Sequence, residues 1–247
     1  MLMQQPRNPM SESRVPDHAG GVPIVLTATV IPNGIPTQHS DWRVRREQYL
    51  HAIAYYRQFS KVYFLDNSQY DLASDLEFQR NDGCVLLKYP GSDCSEKGKG
   101  YQEFEMLDAF VKSSLSEDCF VKITGRYIYS NFPRLFSLVY AMRHRYDLII
   151  DSSMTRKKAL TSLFYVSRSL YESRFTGCYQ QMDDRMGVWA EHIVYRVIEN
   201  IRGVTFFPET PFVASGGAPS ACGVIKRGMR KFQRDLLSAV CARQLVV

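Results

Sequence analysis

Residues 95–131 read SEKGKGYQEFEMLDAFVKSSLSEDCFVKITGRYIYSN, and the succession of patterns in them decides the fold class. Gly100–Ser113 has a helical period, with Phe104, Leu107, Phe110 and Val111 on one side. Cys119–Thr124 is an apolar run of strand length. Each element is joined to a basic, glycine-containing loop. Lys97 and Lys99 alternate with Gly98 and Gly100 before the helix, and the strand leads through Lys122 to Gly125, Arg126 and Tyr127. A helix N-terminus offers N–H donors and a positive dipole end, and glycine lets an anion approach the backbone. Two such loops suit a diphosphate. Taken singly, each also fits a solvated lysine turn or an ordinary buried strand, and neither matches a Walker A or a G-x-G-x-x-G fingerprint.

The same alternation extends outward. Val22–Ile31 (VPIVLTATVI) reads as a buried first strand broken by Pro32-Asn33-Gly34. Asp41–Phe59 reads as a helix with Ser40 or Asp41 as N-cap, Trp42, Val44, Tyr49, Ile53 and Tyr56 inward, and Arg43, Arg45, Arg46 and Glu47 on a polar face. Lys61–Leu65 and Cys84–Lys88 are the next strands, Phe132–His144 a helix, and Asp147–Ile150 a fifth strand running into Asp151. Strands alternating with helices over about 130 residues predict a mostly parallel, twisted sheet flanked by helices. In such sheets ligands sit at the carboxyl ends of the strands. Thr27, Thr29, Asp66, Asn67, Lys122–Tyr127 and Asp151 fall there.

Beyond Asp151 the pattern is less regular. Ala159–Tyr171 fits a helix or a strand pair, and Met186–Ile201 a helix. Val204–Phe207 is strand-like, Ser215–Gly223 a loop of small residues, and Val224–Leu245 a helix with a basic side. Residues 1–21 read as a disordered lead-in, 22–215 as the folded domain, and 216–247 as a basic amphipathic C-terminal helix.

Composition bounds the function. A chain of 247 residues, 45% hydrophobic and 23% charged, can bury a substantial core. The net charge of +6 suits an anionic partner: a nucleotide, a nucleic acid or a lipid surface. Six scattered cysteines without CxxC or finger spacing point to reduced thiols and a cytoplasmic setting. No apolar run reaches membrane-spanning length.

Several side chains can carry chemistry. Asp66, in VYFLDNS, can accept from ribose hydroxyls, although Asp-Asn-Ser is also good turn chemistry. Lys122 lies between Val121 and Ile123, where a lysine is costly unless it is paired or faces a cleft. An edge strand with Lys122 in solvent is the alternative. Arg126 can hold a phosphate or carboxylate with two parallel hydrogen bonds. Glu191, mid-helix beside Trp189, Ile193 and Val194, is a candidate general base; a surface contact to Tyr195 or Arg196 competes. Asp183 and Asp184 are rival bases or simply a helix start. The histidines show no metal spacing, and Asp-x-Asp is absent from the chain.

In order, these residues carry a resemblance: a TAT-type first strand, Arg45-x-x-x-Tyr49, a strand ending DNS, EKGKGYxE, KITGRY, and a helix with an embedded glutamate. The chain resembles bacterial GT-A-type glycosyltransferases of O-antigen or capsular polysaccharide synthesis, in particular galactosyl- and galactofuranosyltransferase-like domains. The resemblance spans roughly residues 22–212. It implies a GT-A-like single domain with a Rossmann-like nucleotide-binding half and an acceptor-side half, a UDP-sugar donor and a saccharide or lipid-linked saccharide acceptor. It implies that Thr27, Thr29, Asp66, Asn67, Lys97, Lys99, Gly100, Tyr101, Gly125 and Asp151 bind the nucleotide sugar. Lys122 and Arg126 would stabilise the leaving diphosphate, and Glu191 would deprotonate the acceptor in an inverting displacement. Such enzymes commonly hold Mg²⁺ or Mn²⁺ on Asp-x-Asp. Here KITGRY stands in its place, so cations of the protein are expected to replace the metal. Asp151, Asp183 and Asp184 are the alternative ligands. The basic C-terminal run suggests attachment to the inner face of an anionic membrane. A basic nucleic-acid-binding module and an inactive sugar-nucleotide-binding partner subunit are the rival readings, and no nucleic acid is expected as partner.

Overall fold

The computed structural model describes residues 21–32, 41–153 and 156–204, together with the backbone of 212–214. The strands are β1 (Ile24–Ala28), β2 (Val62–Asp66), β3 (Cys84–Lys88), β4 (Cys119–Thr124), β5 (Tyr127–Tyr129), β6 (Leu148–Ser153), β7 (Lys158–Ser167) and β8 (Phe212–Ala214). The helices are α1 (Trp42–Tyr56), α2 (Leu76–Gln79), α3 (Lys99–Ser113), α4 (Phe132–Met142), α5 (Arg168–Leu170) and α6 (Ala190–Ile198). Six strands form one sheet in the order β3-β2-β1-β4-β7-β6, and β5 pairs with β8 in a small second ladder. β3, β2, β1 and β4 pair in parallel. β7 runs antiparallel between β4 and β6. The expected α/β class and mostly parallel sheet are therefore present.

Strand parity explains the layers. Successive side chains leave a strand on opposite faces. On β1 and β2, Val25, Tyr63 and Leu65 face α3 and α6 and pack with Phe104, Leu107, Phe110, Ile193 and Val194. Ile24, Leu26, Val62 and Phe64 face α1 and α4 and pack with Tyr49, Ile53, Tyr56, Phe132 and Leu135. With helices on both faces every residue of β1 and β2 is buried, which is why these strands read as continuous apolar runs.

Three elements depart from expectation. The segment 159–171 is neither a helix nor a strand pair. It belongs to one ten-residue strand, β7, followed by a helical turn at α5 and a π-type turn over Tyr171–Phe175. α6 is shorter than predicted, because the chain before it makes a tight turn at Asp184–Met186 and passes through Gly187 in the left-handed region (φ 70°). On α1, Arg45 is buried and Val44 is exposed, the reverse of the predicted faces. Asp41 is the N-cap, accepting from the Arg43 N–H at 2.9 Å. The lead-in through residue 20, the Ser215–Gly223 loop and the basic run after Val224 lie outside the described residues. Val204 bridges to Ile149, and the rest of the strand-like run also lies outside them. Among the described residues no helix is long and apolar enough to cross a membrane. The described cysteines 84, 94, 119 and 178 form no disulfide.

Candidate functional site

A cleft of about 660 Å³ opens over the carboxyl ends of β1 and β4. β1 contributes Thr27 and Thr29 at its end, and β4 contributes Thr124 and then Arg126. Lys99, Gly100 and Glu103 come from the first turns of α3, and Glu191 from the first turn of α6. The ends of β1 and β4 approach closely. The Gly125 N–H donates to the Thr27 carbonyl at 2.9 Å, and a Cβ at position 125 would stand 2.8 Å from that oxygen.

Cations gather on one wall. Arg45, one α1 turn before Tyr49, donates from Nε to the Thr29 carbonyl at 3.0 Å and from Nη2 to the Tyr49 hydroxyl at 3.3 Å. Burial and the charge of Arg126 lower its pKa, against the opposing effect of Tyr49. Lys99 is held below its ordinary value by burial and then by Arg126 and Arg45, with Asp184 opposing. Arg126 also donates to Gln48 at 3.2 Å. Three cations gathered on one wall, with Arg126 lowering the pKa of both Arg45 and Lys99, make a site that favours a multiply charged anion.

The α3 N-terminus differs from the sequence expectation. Its backbone is not bare: the Lys99 N–H donates to Asp184 Oδ2 at 3.1 Å. Gly98, at φ 107°, makes room for this carboxylate, which a Cβ would meet at 2.1 Å. At Gly100 a Cβ would stand 2.7 Å from the Ala190 Cβ. These glycines let the start of α3 meet Asp184 and the start of α6, and Gly98, Lys99 and Gly100 all line the cleft.

The other expected site residues divide. Thr27, Thr29, Lys99, Gly100, Arg126, Asp184 and Glu191 line the cleft. Lys97 does not; its ammonium lies 4.7 Å from the centre of the Tyr101 ring, and Tyr101 is itself buried against Tyr179. Asp66 is fully buried and accepts from the Val30 N–H (3.0 Å), the Ser68 hydroxyl (2.9 Å) and Lys88 (2.6 Å). Asn67 accepts from the Thr29 hydroxyl at 2.7 Å. Both shape the loops after β1 and β2 without lining the cleft. Asp151 sits at the irregular step of β6, away from the cleft.

Lys122 lies neither in solvent nor in the cleft. It is wholly buried, donating to the Thr161 carbonyl at 2.6 Å and pairing with Glu103 at 2.7 Å. Its ammonium also donates to the Thr124 hydroxyl at 3.0 Å, so its donors are taken up inside the fold and do not face a bound anion. Burial lowers its pKa, and Glu103 and Glu191 oppose that.

Sequence reasoning missed several lining residues, Arg45, Glu103, Lys158 and Trp189 among them. Arg45 was grouped with the exposed arginines of its helix. Glu103 stood inside the EKGKGYxE motif without a role, although an apolar-flanked lysine signals a buried carboxylate. Lys158 and Trp189 have no local signal. Trp189 is 44% exposed, with the Lys158 ammonium 4.4 Å over its ring.

The described lining residues do not fit a divalent cation. Glu103 is bonded to Lys122, Asp184 to the Lys99 N–H, and Asp183 to Arg185. Among the described residues no three His, Cys, Asp or Glu side chains converge as metal ligands, and Asp151, Asp183 and Asp184 are not brought together.

No family model matches the chain. No curated protein matches it either. Solved structures do. The glycosyltransferase GlyE of Streptococcus pneumoniae aligns over 75% of this chain at 12% identity and TM-score 0.47; the chain spans 45% of that structure's length. TarS of S. aureus, solved in complex with UDP-GlcNAc, aligns over 87% of this chain and 66% of its own, at 7% identity and TM-score 0.48. A cytidylyltransferase from Leptospira borgpetersenii aligns over 78% of this chain and 81% of its own, at 13% identity and TM-score 0.45. At such identities and scores the function has to be argued from the cleft.

Proposed function

We propose that the chain is a sugar-nucleotide-dependent glycosyltransferase. It would move a sugar, of galactose type by the motif resemblance, from a UDP donor to a hydroxyl of a growing bacterial surface polysaccharide. The observation that carries this reading is the cluster of Arg45, Lys99 and Arg126 facing one cleft at the carboxyl ends of parallel strands. The motif resemblance supports it independently.

In the proposed step, the diphosphate lies against Lys99 and Arg126, with Arg45 behind them. The acceptor oxygen attacks the anomeric carbon, and its proton passes to Glu191. The bond from that carbon to the β-phosphate oxygen breaks. The electron pair leaves with UDP, whose growing charge the three cations stabilise in place of a metal. Single displacement inverts the anomeric centre. Glu191 lining the cleft from the first turn of α6 supports this role.

Single-turnover transfer from UDP-galactose, paired with calorimetric UDP binding, tests the base. Glu191→Gln is expected to leave UDP affinity within about twofold and to slow transfer by about 10²–10⁴-fold. Transfer at the wild-type rate would remove Glu191 as the base.

A further inference from the structure

The floor of the cleft holds a charge arrangement that the proposed transfer does not use. Strand parity sends Thr27 of β1 and Lys122 and Thr124 of β4 to the α3 side, and Thr27 pairs in register with Thr124. Glu103 of α3 meets all three. Its Oε1 takes the Lys122 ammonium at 2.7 Å, the Thr124 hydroxyl at 3.2 Å and the Thr27 hydroxyl. Lys122 is sealed at 0% exposure, whereas the Glu103 side chain is 20% exposed and lines the cleft.

This asymmetry is informative. For stability alone, apolar residues of the same volume would serve as well as a buried ion pair or better. Here the cation is underneath and the carboxylate is open to the ligand. The Lys122 ammonium pairs with Glu103 from below, and the two threonine hydroxyls fix its rotamer. A carboxylate offers about four acceptor positions over two oxygens. These three donors converge on Oε1, so acceptor capacity remains on the carboxylate.

We infer that Glu103 is the hydroxyl-accepting group of the cleft, recognising adjacent hydroxyls on a sugar ring attached to the bound diphosphate. This rests on the donor-binding reading above. An anionic carboxylate repels phosphate, so it addresses a neutral part of the ligand, and ring hydroxyls are the matching donors. The spacing agrees. Lys99 and Glu103 are four residues apart on α3, which sets their Cβ atoms about 5–6 Å apart on one face. A phosphate at Lys99 thus brings the next ring within reach of Glu103. Two rings flank a sugar-nucleotide diphosphate, the ribose and the transferred sugar, and both carry adjacent hydroxyls.

Calorimetric titration of the full chain with UDP, 2′-deoxy-UDP and UDP-galactose tests this. The variants are Glu103→Gln and Glu103→Gln/Lys122→Met; the double variant removes both charges so that no buried cation is left unpaired, and circular dichroism melts confirm folding. The folded variants are expected to bind UDP-galactose about 10–100-fold more weakly than wild type. If the ribose is the ring recognised, UDP weakens equally and 2′-deoxy-UDP binds wild type poorly. If it is the transferred sugar, UDP affinity is unchanged. Either result supports the assignment. A folded variant that binds UDP-galactose like wild type overturns it while leaving the donor reading intact. Wild type that binds none of the three overturns the donor reading and this inference with it.

Discussion

Lys99 shows how one side chain can report on a whole site. Burial and two neighbouring arginines lower its pKa, so the folded state favours the neutral form more than the unfolded chain does. The sign follows: the ligand-free protein carries this penalty at neutral pH and sheds it as pH rises toward the ordinary value of 10.5. A bound diphosphate reverses the preference, because it stabilises the ammonium. UDP affinity should therefore fall on the alkaline side, beginning below 10.5, and calorimetry from neutral pH upward would show it. Lys99→Met should weaken UDP by about 10–100-fold, the worth of one charge-assisted hydrogen bond, and abolish that pH dependence. Unchanged affinity in the variant would take Lys99 out of the site. Lys99, Arg126 and Glu191 were legible in the sequence because their loops and helix advertise them. Arg45 was not, since periodicity alone cannot tell a guanidinium buried against a carbonyl from one on the polar face of the helix. Lys122 was legible as an anomaly, but its partner lies on another element and only the fold brings them together.

The elements that build the cleft meet through small residues. Gly100 of α3 packs against Ala190, the residue before Glu191, with no room for a side chain. Gly100→Val should force the two helices apart, cost about 1–3 kcal/mol of stability by overpacking, and slow transfer by displacing Glu191. A melt and a transfer assay on the same preparation check both; an unshifted Tm would contradict the packing described here. Element type was readable where one period ruled, as in α3 and in the doubly covered β1 and β2. It was ambiguous in β7, whose first half alternates and whose second half is buried on both faces. No local pattern separates such a run from a buried helix. The N-terminal trim of α6 likewise depends on Gly187 and on Asp184 reaching across to α3, neither visible in helical spacing.

At the scale of the molecule, the sheet order places β1 and β4 side by side at its centre, so the loops after both strands converge on one cleft. The alternation of strands and helices was enough to predict this location; the antiparallel insertion of β7 was not predicted. The proposed replacement of a metal by Arg45, Lys99 and Arg126 is the central claim, and it can be read without knowing the acceptor. Thermal melts of the full chain with UDP and UDP-galactose, each in EDTA and in Mn²⁺, measure it directly. A nucleotide at about 100 times its Kd adds about 2.7 kcal/mol to stability. The same rise in Tm is expected in EDTA and in Mn²⁺. A rise that appears only with Mn²⁺, or no rise with either nucleotide, would contradict it.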